Sequence, residues 1–191
     1  MKLGVLALQG AFREHREVFD ALGVECVEVR VPEHLGGVDA LVLPGGESTT
    51  MTRLLETSGL REPLTDLVRD GLPAFGTCAG LILLADTVLD GRTDQVPLGV
   101  LDVTVRRNGY GRQRESFEAP LSVTGVTGPA FPGVFIRAPV VEGVGAAVEV
   151  LAEHNGTPVL VRDDQVWGAT FHPELSGDLR VHQLFLRGVS E

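Results

Sequence analysis

The sequence predicts an α/β fold with a mostly parallel central sheet, helices on both faces of that sheet and a strand-rich C-terminal half. Two observations predict it. In the first half of the chain, short runs that are apolar throughout alternate with segments whose apolar residues recur at helical spacing. Strands that are apolar on both sides belong in a parallel sheet that helices cover on both faces. In the second half, strand patterns follow one another, with a helix at the end.

The first half contains four predicted strands and three predicted helices. The strands are expected over residues 2–8, 26–31, 38–43 and 71–76, and the helices over residues 11–22, from residue 48 onward and over residues 60–69. Gly23 ends the first helix, because glycine readily takes the left-handed conformation common after a helix. Pro32 ends the second strand, and the sequence Pro44-Gly45-Gly46 ends the third.

The second half is predicted to be mostly strands. They are expected over residues 98–105, 117–126, 134–136, 148–154, 158–162 and 165–171. Asn155-Gly156 is a hairpin turn signal, and Asp163-Asp164 is a second tight turn. A helix over residues 178–188 closes the chain. The sequence shows no internal repeat, low-complexity tract or linker, so we expect residues 1–191 to form a single domain.

Composition argues against several classes of protein. The 191 residues carry a formal net charge of −10 with a pI near 4.9, and a general nucleic-acid binder needs a basic surface. No apolar run approaches the roughly 20 residues of a membrane span, and the short apolar amino terminus lacks the features of a signal peptide. We therefore expect a cytoplasmic protein. Its two cysteines are not expected to be bridged, and Cys26 is expected to be a core residue.

Lysine is almost absent from the chain. Lys2 is the only lysine, and the other strongly basic residues are all arginine. This leaves no lysine for a phosphate-binding loop and none placed for imine chemistry deep in the chain.

One cysteine lies in a pattern typical of a nucleophile. Cys78 follows an apolar strand and precedes an apolar helix, with the spacing Gly76-x-Cys78-x-Gly80. Small flanking residues permit the sharp turn of a nucleophile elbow and leave the sulfur unscreened. The helix start favours the reactive thiolate, and the N–H of Ala79 is placed to form half of an oxyanion hole. A buried cysteine in an ordinary strand-to-helix turn remains the alternative at this point.

A histidine and a glutamate accompany the last predicted strand. His172 is expected to end that strand, at the carboxyl edge where open parallel sheets carry their sites. Pro173 enforces an extended step, so Glu174 can reach the far imidazole nitrogen, fix the tautomer and stabilise the imidazolium. Alone such a pair is usually incidental. Together with Cys78 it makes a Cys-His-Glu triad.

A glycine-rich turn is predicted at the same edge. Gly45, Gly46, Glu47 and Ser48 follow the third strand and precede a helix. Glycines let the backbone approach a ligand, and a free N–H of Gly46 can complete the oxyanion hole. A glycine-rich turn is usually only a turn, so its meaning depends on the other two segments.

These three segments resemble the class I, or triad-type, glutamine amidotransferases, in which a glycine loop, a cysteine elbow and His-Pro-Glu occur in this order. Further segments resemble the family of glutaminase subunits of pyridoxal 5′-phosphate synthase. The matching segments are residues 4–11 with Glu14 and His15, then 43–51, 75–81, 107–108, 111–113, 135–139, 153–156, 171–175, 180–181 and 183–185. Gly109-Tyr110 and Ala169-Thr170 depart from the residues common in the family.

The resemblance implies a three-layer, flavodoxin-like class I glutamine amidotransferase fold and hydrolysis of L-glutamine by Cys78, His172 and Glu174. It implies that ammonia passes to a synthase (lyase) subunit in a hetero-oligomeric complex, with no cofactor or metal in this chain. It also implies that the isolated subunit is nearly silent until docking orients the Gly46-Glu47 peptide. The family's oxyanion hole falls on Gly46 and Ala79, and its glutamine contacts fall on Gly46, Glu47, Ser48, Arg107, Ile136 and Arg137.

Two other functions stay open. One is a glutaminase subunit that serves another synthase, such as imidazole glycerol phosphate synthase, and the other is a noncatalytic flavodoxin-like regulatory protein. Arg137 can either meet the α-carboxylate of the substrate or organise the pocket. The four remaining histidines, His15, His34, His154 and His182, show no metal-ligand spacing, so packing roles are expected of them. His15 and His154 belong to family motifs, so an interface role is also open for these two.

Overall fold

The computed structural model describes residues 1–91, 95–107, 109 and 116–189. Its helices are α1 (Phe12–Ala21), α2 (Ser48–Thr57), α3 (Arg61–Arg69), α4 (Ala79–Leu84) and α5 (Arg180–Val189). Its strands are β1 (Lys2–Leu6), β2 (Glu25–Val29), β3 (Ala40–Leu43), β4 (Ala74–Thr77), β5 (Ala85–Leu89), β6 (Leu101–Arg106), β7 (Ser116–Leu121), β8 (Phe131–Ile136), β9 (Val140–Val144), β10 (Glu149–His154), β11 (Thr157–Asp163) and β12 (Val166–Ala169). None of the helices in these ranges is long and apolar enough to cross a membrane. Asn108, Tyr110 and residues 111–113, named above for the family resemblance, lie outside the described residues.

A seven-stranded sheet forms the centre, in the order β10-β11-β12-β4-β3-β1-β2. The five strands from β12 to β2 pair in parallel, whereas β11 and β10 extend the sheet as antiparallel strands. This confirms the predicted mostly parallel sheet. Asn155 and Gly156 join β10 to β11 with positive φ angles of 51° and 74°, as the hairpin signal predicts.

Helices cover both faces of the central sheet. On one face, α2, α3 and α4 contribute apolar side chains that include Met51, Leu64 and Leu81. On the other face, α1 and α5 contribute Phe19 and Phe185. The core therefore consists of two apolar layers separated by the sheet, as the alternation of apolar strands and amphipathic helices predicts.

The sequence pattern does not predict β5 and β9, which flank β6 in a separate three-stranded sheet. Only Ala85 of β5 and Val141 of β9 are buried, so the apolar alternation that identifies a strand is absent from both. β7 and β8 pair as an antiparallel ribbon. Their bounds differ from the predicted 117–126 and 134–136, because pairing runs from Ser116 with Ile136 to Leu121 with Phe131.

Aromatic side chains fill the layer between the sheet and α5. The rings of Phe75 in β4 and Trp167 in β12 lie 6.4 Å apart. Phe185 of α5 lies 5.4 Å from Phe75 and 5.9 Å from Trp167, and all three are buried. Because β4 leads directly into Cys78, this packing holds the strand end on which Cys78 is placed.

Replacing Phe185 with alanine is expected to lower the free energy of unfolding by about 3–5 kcal/mol, because a large buried side chain is lost and a cavity remains. Unfolding in urea can be followed by the fluorescence of Trp167, the only tryptophan. Val96→Ala removes methyl groups from a side chain that is 55% exposed, and we expect it to change stability by less than about 0.5 kcal/mol. Equal losses in the two variants would contradict the packing described.

Candidate active site

A cleft of about 320 Å³ opens at the carboxyl edge of the parallel strands. The segments that follow β1, β3, β4 and β12 all reach this cleft. It is lined by all of the predicted site residues except Glu174, namely Gly46, Glu47, Ser48, Cys78, Ala79, Arg107, Ile136, Arg137 and His172. The lining also includes Gly45 of the predicted glycine loop, together with Gln9, Gly10, Ala11 and Ile82, for which no site role is predicted.

Cys78 lies in a strained turn between β4 and α4. Its φ of 48° and ψ of −102° lie outside the regions that residues with a side chain ordinarily adopt. Its backbone N–H donates to the carbonyl oxygen of Ala169 at 2.8 Å, and its own carbonyl accepts from the N–H of Ile82 at 3.2 Å. Sγ lies 3.8 Å from the carbonyl oxygen of Ile136. The strand, sharp turn and helix are those of a nucleophile elbow.

Two glycines permit close backbone contacts around this elbow. A Cβ on Gly80 would lie 1.9 Å from the carbonyl oxygen of Leu43, so the first turn of α4 packs directly on the end of β3. A Cβ on Gly45 would lie 2.2 Å from Cε1 of His172. Since a side chain at either position would collide with its neighbour, these sites require glycine.

His172 lies beyond the sheet, because β12 ends at Ala169, two residues before the end of the predicted strand at residue 171. The N–H of Thr170 still donates to the carbonyl of Val159 at 2.9 Å, as in the central sheet. The N–H of His172 instead donates to the carbonyl of Val134 in β8 at 2.8 Å. The chain thus crosses from the central sheet to the β7–β8 ribbon, which brings the imidazole to the cleft.

Glu174 binds the inner nitrogen of the His172 ring. Nδ1 of His172 lies 2.7 Å from Oε1 of Glu174, and the side chains are 9% and 0% exposed. The imidazole and the sulfur of Cys78 both line the cleft, and their interaction raises the pKa of His172. The structure therefore brings the three predicted triad residues together, with Glu174 behind His172 and Cys78 in the cleft.

His172 and Glu174 each shift the pKa of the other. Burial lowers the pKa of His172, but its hydrogen bonds to Cys78 and Glu174 and the charges of those residues outweigh burial and raise the pKa to about 10. Burial raises the pKa of Glu174, but the electrostatic interaction with His15 and the hydrogen bond and charge of His172 outweigh burial and lower that pKa. Glu174 is therefore held as a carboxylate, and the imidazolium form of His172 is favoured beside the sulfur.

Glu47 is bonded to its own helix and to Arg107. Its carboxylate accepts from the N–H of Thr49 at 3.4 Å and of Thr50 at 2.7 Å, which makes it the N-cap of α2. Nη2 of Arg107 lies 3.2 Å from the same carboxylate. Burial raises the pKa of Glu47, but the hydrogen bonds from Thr50 and Thr49 and the charge of Arg107 outweigh burial, so the pKa is lowered overall. The N–H of Glu47 donates to Oε1 of Gln9 at 2.8 Å, a contact that the sequence pattern does not predict.

Ile136 and Arg137 reach the cleft from the end of β8. Arg137 has a φ of 42°, so the backbone turns sharply at this residue. Arg107 and Arg137 are the two arginines that line the cleft in the described chain, and Glu47 is the one acidic residue among the lining. Besides His172, the cleft thus offers two guanidinium groups and one carboxylate to a ligand.

The four remaining histidines differ in their surroundings. His34 is exposed in the 3₁₀ turn Pro32–Leu35, and His154 packs near the aromatic rings of β7 and β8. His15 and His182 are fully buried. No group of three or more His, Cys, Asp or Glu side chains in the described ranges is placed to hold a metal ion.

Replacing Glu174 with glutamine is expected to lower the pKa of His172 below its wild-type value of about 10, because the amide lacks the negative charge. NMR titration of the imidazole Cε1–H measures this. A raised pKa stabilises the folded state fully below the unfolded value of about 6.5, and this stabilisation is lost as pH rises toward 10. Glu174→Gln should therefore lose less stability over that interval than the wild type loses.

The matched control for this substitution is Glu62→Gln, at an exposed carboxylate in the first turn of α3. It is expected to leave the His172 titration unchanged. An unaltered midpoint in Glu174→Gln would show that Glu174 does not hold the imidazolium.

The chain is similar to known proteins along nearly its whole length. The model of the SNO glutamine amidotransferase family matches residues 5–191. The pyridoxal 5′-phosphate synthase subunit PdxT of Mycobacteroides abscessus is 57% identical over 184 residues, which cover 96% of this chain and 95% of that protein. PdxT of Geobacillus kaustophilus is 55% identical, covering 100% of this chain and 96% of that protein. A crystal structure of a glutamine amidotransferase matches with a TM-score of 0.93 at 50% identity, covering 99% of both chains.

Proposed function

The chain belongs to the SNO glutamine amidotransferase family, and from this premise we propose that it is the glutaminase subunit of a pyridoxal 5′-phosphate synthase. It hydrolyses L-glutamine to glutamate and ammonia and delivers the ammonia to the synthase (lyase) subunit. The observation that carries the proposal is that Cys78 and His172 line the same cleft, with Glu174 bound to Nδ1 of His172 behind them. We further propose that residues 1–191 act as a single domain.

In the first half-reaction, Sγ of Cys78 attacks the side-chain amide carbon of glutamine. The oxygen of that amide becomes an oxyanion, which accepts hydrogen bonds from the N–H groups of Gly46 and Ala79. As the C–N bond breaks, His172 gives its proton to the leaving nitrogen, so that ammonia departs and a thioester remains. Glu174 holds the imidazole in the required tautomer and stabilises its protonated form.

In the second half-reaction, water replaces ammonia. His172 takes a proton from the water, and the resulting hydroxide attacks the thioester carbon. The same oxyanion hole holds the second tetrahedral intermediate. The C–S bond then breaks, glutamate leaves, and Cys78 recovers its proton. The sum is glutamine plus water to glutamate plus ammonia, which requires no cofactor and no metal.

The charges that line the cleft suit the other end of glutamine. Its α-carboxylate and α-ammonium groups carry opposite charges, and we assign the carboxylate to Arg107 and Arg137 and the ammonium to Glu47. The ion pair between Arg107 and Glu47 at 3.2 Å keeps both groups in place before the substrate enters. Gly46, Ser48 and Ile136 line the same cleft and complete the contacts that we propose for glutamine.

The ammonia is used by a partner. Lys2, the only lysine, is the first residue of β1, at the edge of the sheet opposite the cleft. Any imine chemistry in the synthesis therefore requires a lysine of another subunit. Direct transfer within a hetero-oligomeric complex keeps ammonia from protonation in water. We place the complex in the cytoplasm, where Cys78 stays a reduced thiol.

The alternative functions receive less support. A noncatalytic regulatory protein has no need of His172 and Glu174, yet the two are buried and 2.7 Å apart. A glutaminase for another synthase would not be expected to share 55–57% of its sequence with PdxT subunits over nearly the whole chain.

Replacing Cys78 with alanine is expected to lower ammonia release from glutamine by at least about a thousandfold, because the attacking atom is lost. Enzymatic determination of glutamate measures this, with each protein assayed alone and with the synthase subunit. Cys26→Ala is the matched control, at the other cysteine, which lies in β2, and it is expected to retain wild-type turnover. Ammonia release that survives in Cys78→Ala would refute the mechanism.

For the wild type we expect faster turnover with the synthase subunit, and equal rates would argue that the Gly46-Glu47 peptide needs no docking.

Replacing Arg107 with glutamine is expected to raise the KM for glutamine by about tenfold or more, since hydrogen bonds to charged groups contribute about 1.5–3 kcal/mol. Steady-state kinetics measures this, and kcat should change less than KM. Arg106→Gln is the matched control, because Arg106 pairs with Asp90 at 2.5 Å and with Glu142 and is absent from the cleft lining. Equal effects on KM in the two variants would rule out a substrate contact by Arg107.

A further inference from the structure

Two buried histidines lie behind the triad, next to Oε2 of Glu174, which forms no hydrogen bond with the described residues. Nε2 of His15 lies 3.4 Å from Oε2 of Glu174, the oxygen that does not bind His172. Nε2 of His182 lies 3.2 Å from Nδ1 of His15. The side chains of His15 and Glu174 have no access to water, and His182 is fully buried. These groups come from α1, α5 and the turn after β12.

The contacts determine which ring nitrogens carry protons. If Nδ1 of His15 carried the proton, it would donate to Nε2 of His182, and the proton of His182 would lie on Nδ1. That atom is buried and has no hydrogen-bond partner in the described residues. A buried donor without an acceptor is costly. The Nδ1 lone pair of His182 costs less to leave unpaired, so both rings carry their protons on Nε2.

With that tautomer, the Nε2–H of His15 faces two oxygens. One is Oγ1 of Thr77 at 3.1 Å, and the other is Oε2 of Glu174 at 3.4 Å. The opposite tautomer would instead place the lone pair of Nε2 against the carboxylate, which is repulsive. Oγ1 of Thr77 also accepts from the N–H of Gly45 at 3.1 Å. His15 therefore contacts the triad carboxylate and, through Thr77, the loop that contains Gly46.

We propose that His15 is a positioning residue for the proposed glutaminase reaction: its Nε2–H holds the carboxylate of Glu174 toward His172 and ties the glycine loop to the triad through Thr77. The proposal rests on the proposed function of the cleft. Neither His15 nor Glu174 lines the cleft, so the effect on substrate must pass through His172 and Gly45.

The surroundings of His15 keep its ring neutral. Burial lowers the pKa of His15, and the charge of His172 lowers it further, against the opposing charges of Glu174 and of Glu14 on the same helix. Burial also lowers the pKa of His182, to about 3. The two rings can thus donate along the series without adding a positive charge that would compete with His172 for Glu174.

Three variants test the proposal. His15→Leu removes the donor, and we expect kcat for glutamine hydrolysis to fall by about tenfold with KM changed by less than about twofold, since only the orientation of the triad is affected. The acidic limb of the pH profile should move to higher pH, because a carboxylate that loses a donor is protonated more easily. His15→Gln places an amide N–H near the position of Nε2 and should recover part of the lost kcat.

Phe19→Leu is the matched structural control. Phe19 lies on the same helix, is fully buried and packs against both histidines, at 6.5 Å from His15 and 5.1 Å from His182, without a polar group. It should lower the melting temperature while leaving kcat and the pH profile unchanged. The proposal is overturned if Phe19→Leu alters kcat as His15→Leu does, if His15→Leu keeps the wild-type pH profile, or if His15→Gln is no better than His15→Leu.

Nitrogen-15 NMR of the imidazole rings in the wild-type chain tests the arrangement without reference to activity, and it decides the case if His15→Leu does not fold. A proton on Nε2 of His15 at neutral pH is the expected result, and a ring without that proton overturns the proposal. If the wild type fails to hydrolyse glutamine with or without the synthase subunit, the proposed function fails, whereas the NMR result still reports on His15 separately.

Discussion

A carboxylate with almost no access to water lies at the centre of the site. The side chain of Glu174 is 0% exposed, and burying an ionised carboxylate costs on the order of several kcal/mol unless hydrogen bonds and an opposite charge offset it. His172 supplies both on one side at 2.7 Å, and His15 approaches the other oxygen at 3.4 Å. The imidazole beside Cys78 is therefore held in place by the same buried charge that raises its pKa.

The parallel sheet brings this charge to the nucleophile. β3, β4 and β12 are adjacent and run in the same direction, so the segments that follow them meet at one edge. The meeting is close because Gly80 has no side chain to keep α4 from the end of β3, and Gly45 has none to keep the glycine loop from His172. Cys78 takes a positive φ in this crowded turn, and the surrounding aromatic and aliphatic packing of β4 supports the strain.

The lining of the cleft combines two kinds of residue: glycines and small side chains close to the triad, and charged side chains elsewhere. Gly46 and Ala79, where we propose the oxyanion hole, line one part of it, and Glu47, Arg107 and Arg137 contribute charges. This division suits a substrate with a neutral amide at one end and a zwitterion at the other. The single lysine lies at the far edge of the sheet, away from the residues that line this cleft.

The sequence alone predicted the central sheet, its helices and the three residues that we propose as the triad, because these depend on short-range properties. Burial on both sides makes a strand apolar throughout, and the spacing Gly76-x-Cys78-x-Gly80 is visible because a tight turn excludes side chains within a few residues. The sequence pattern did not predict the exact ends of the strands, because those ends are set by the pairing partners. It did not predict β5 and β9 either, because few of their residues are buried.

Only the tertiary structure decided how the remaining polar groups are used. Glu47 became the cap of its own helix, Gln9 a support for the glycine loop, and His15 a neighbour of Glu174. The contact between His15 and Thr77 joins residues 62 positions apart, and the contact with His182 joins residues 167 positions apart. Such contacts depend on strand order and on how α1 and α5 pack on the sheet, which no local pattern of residues encodes.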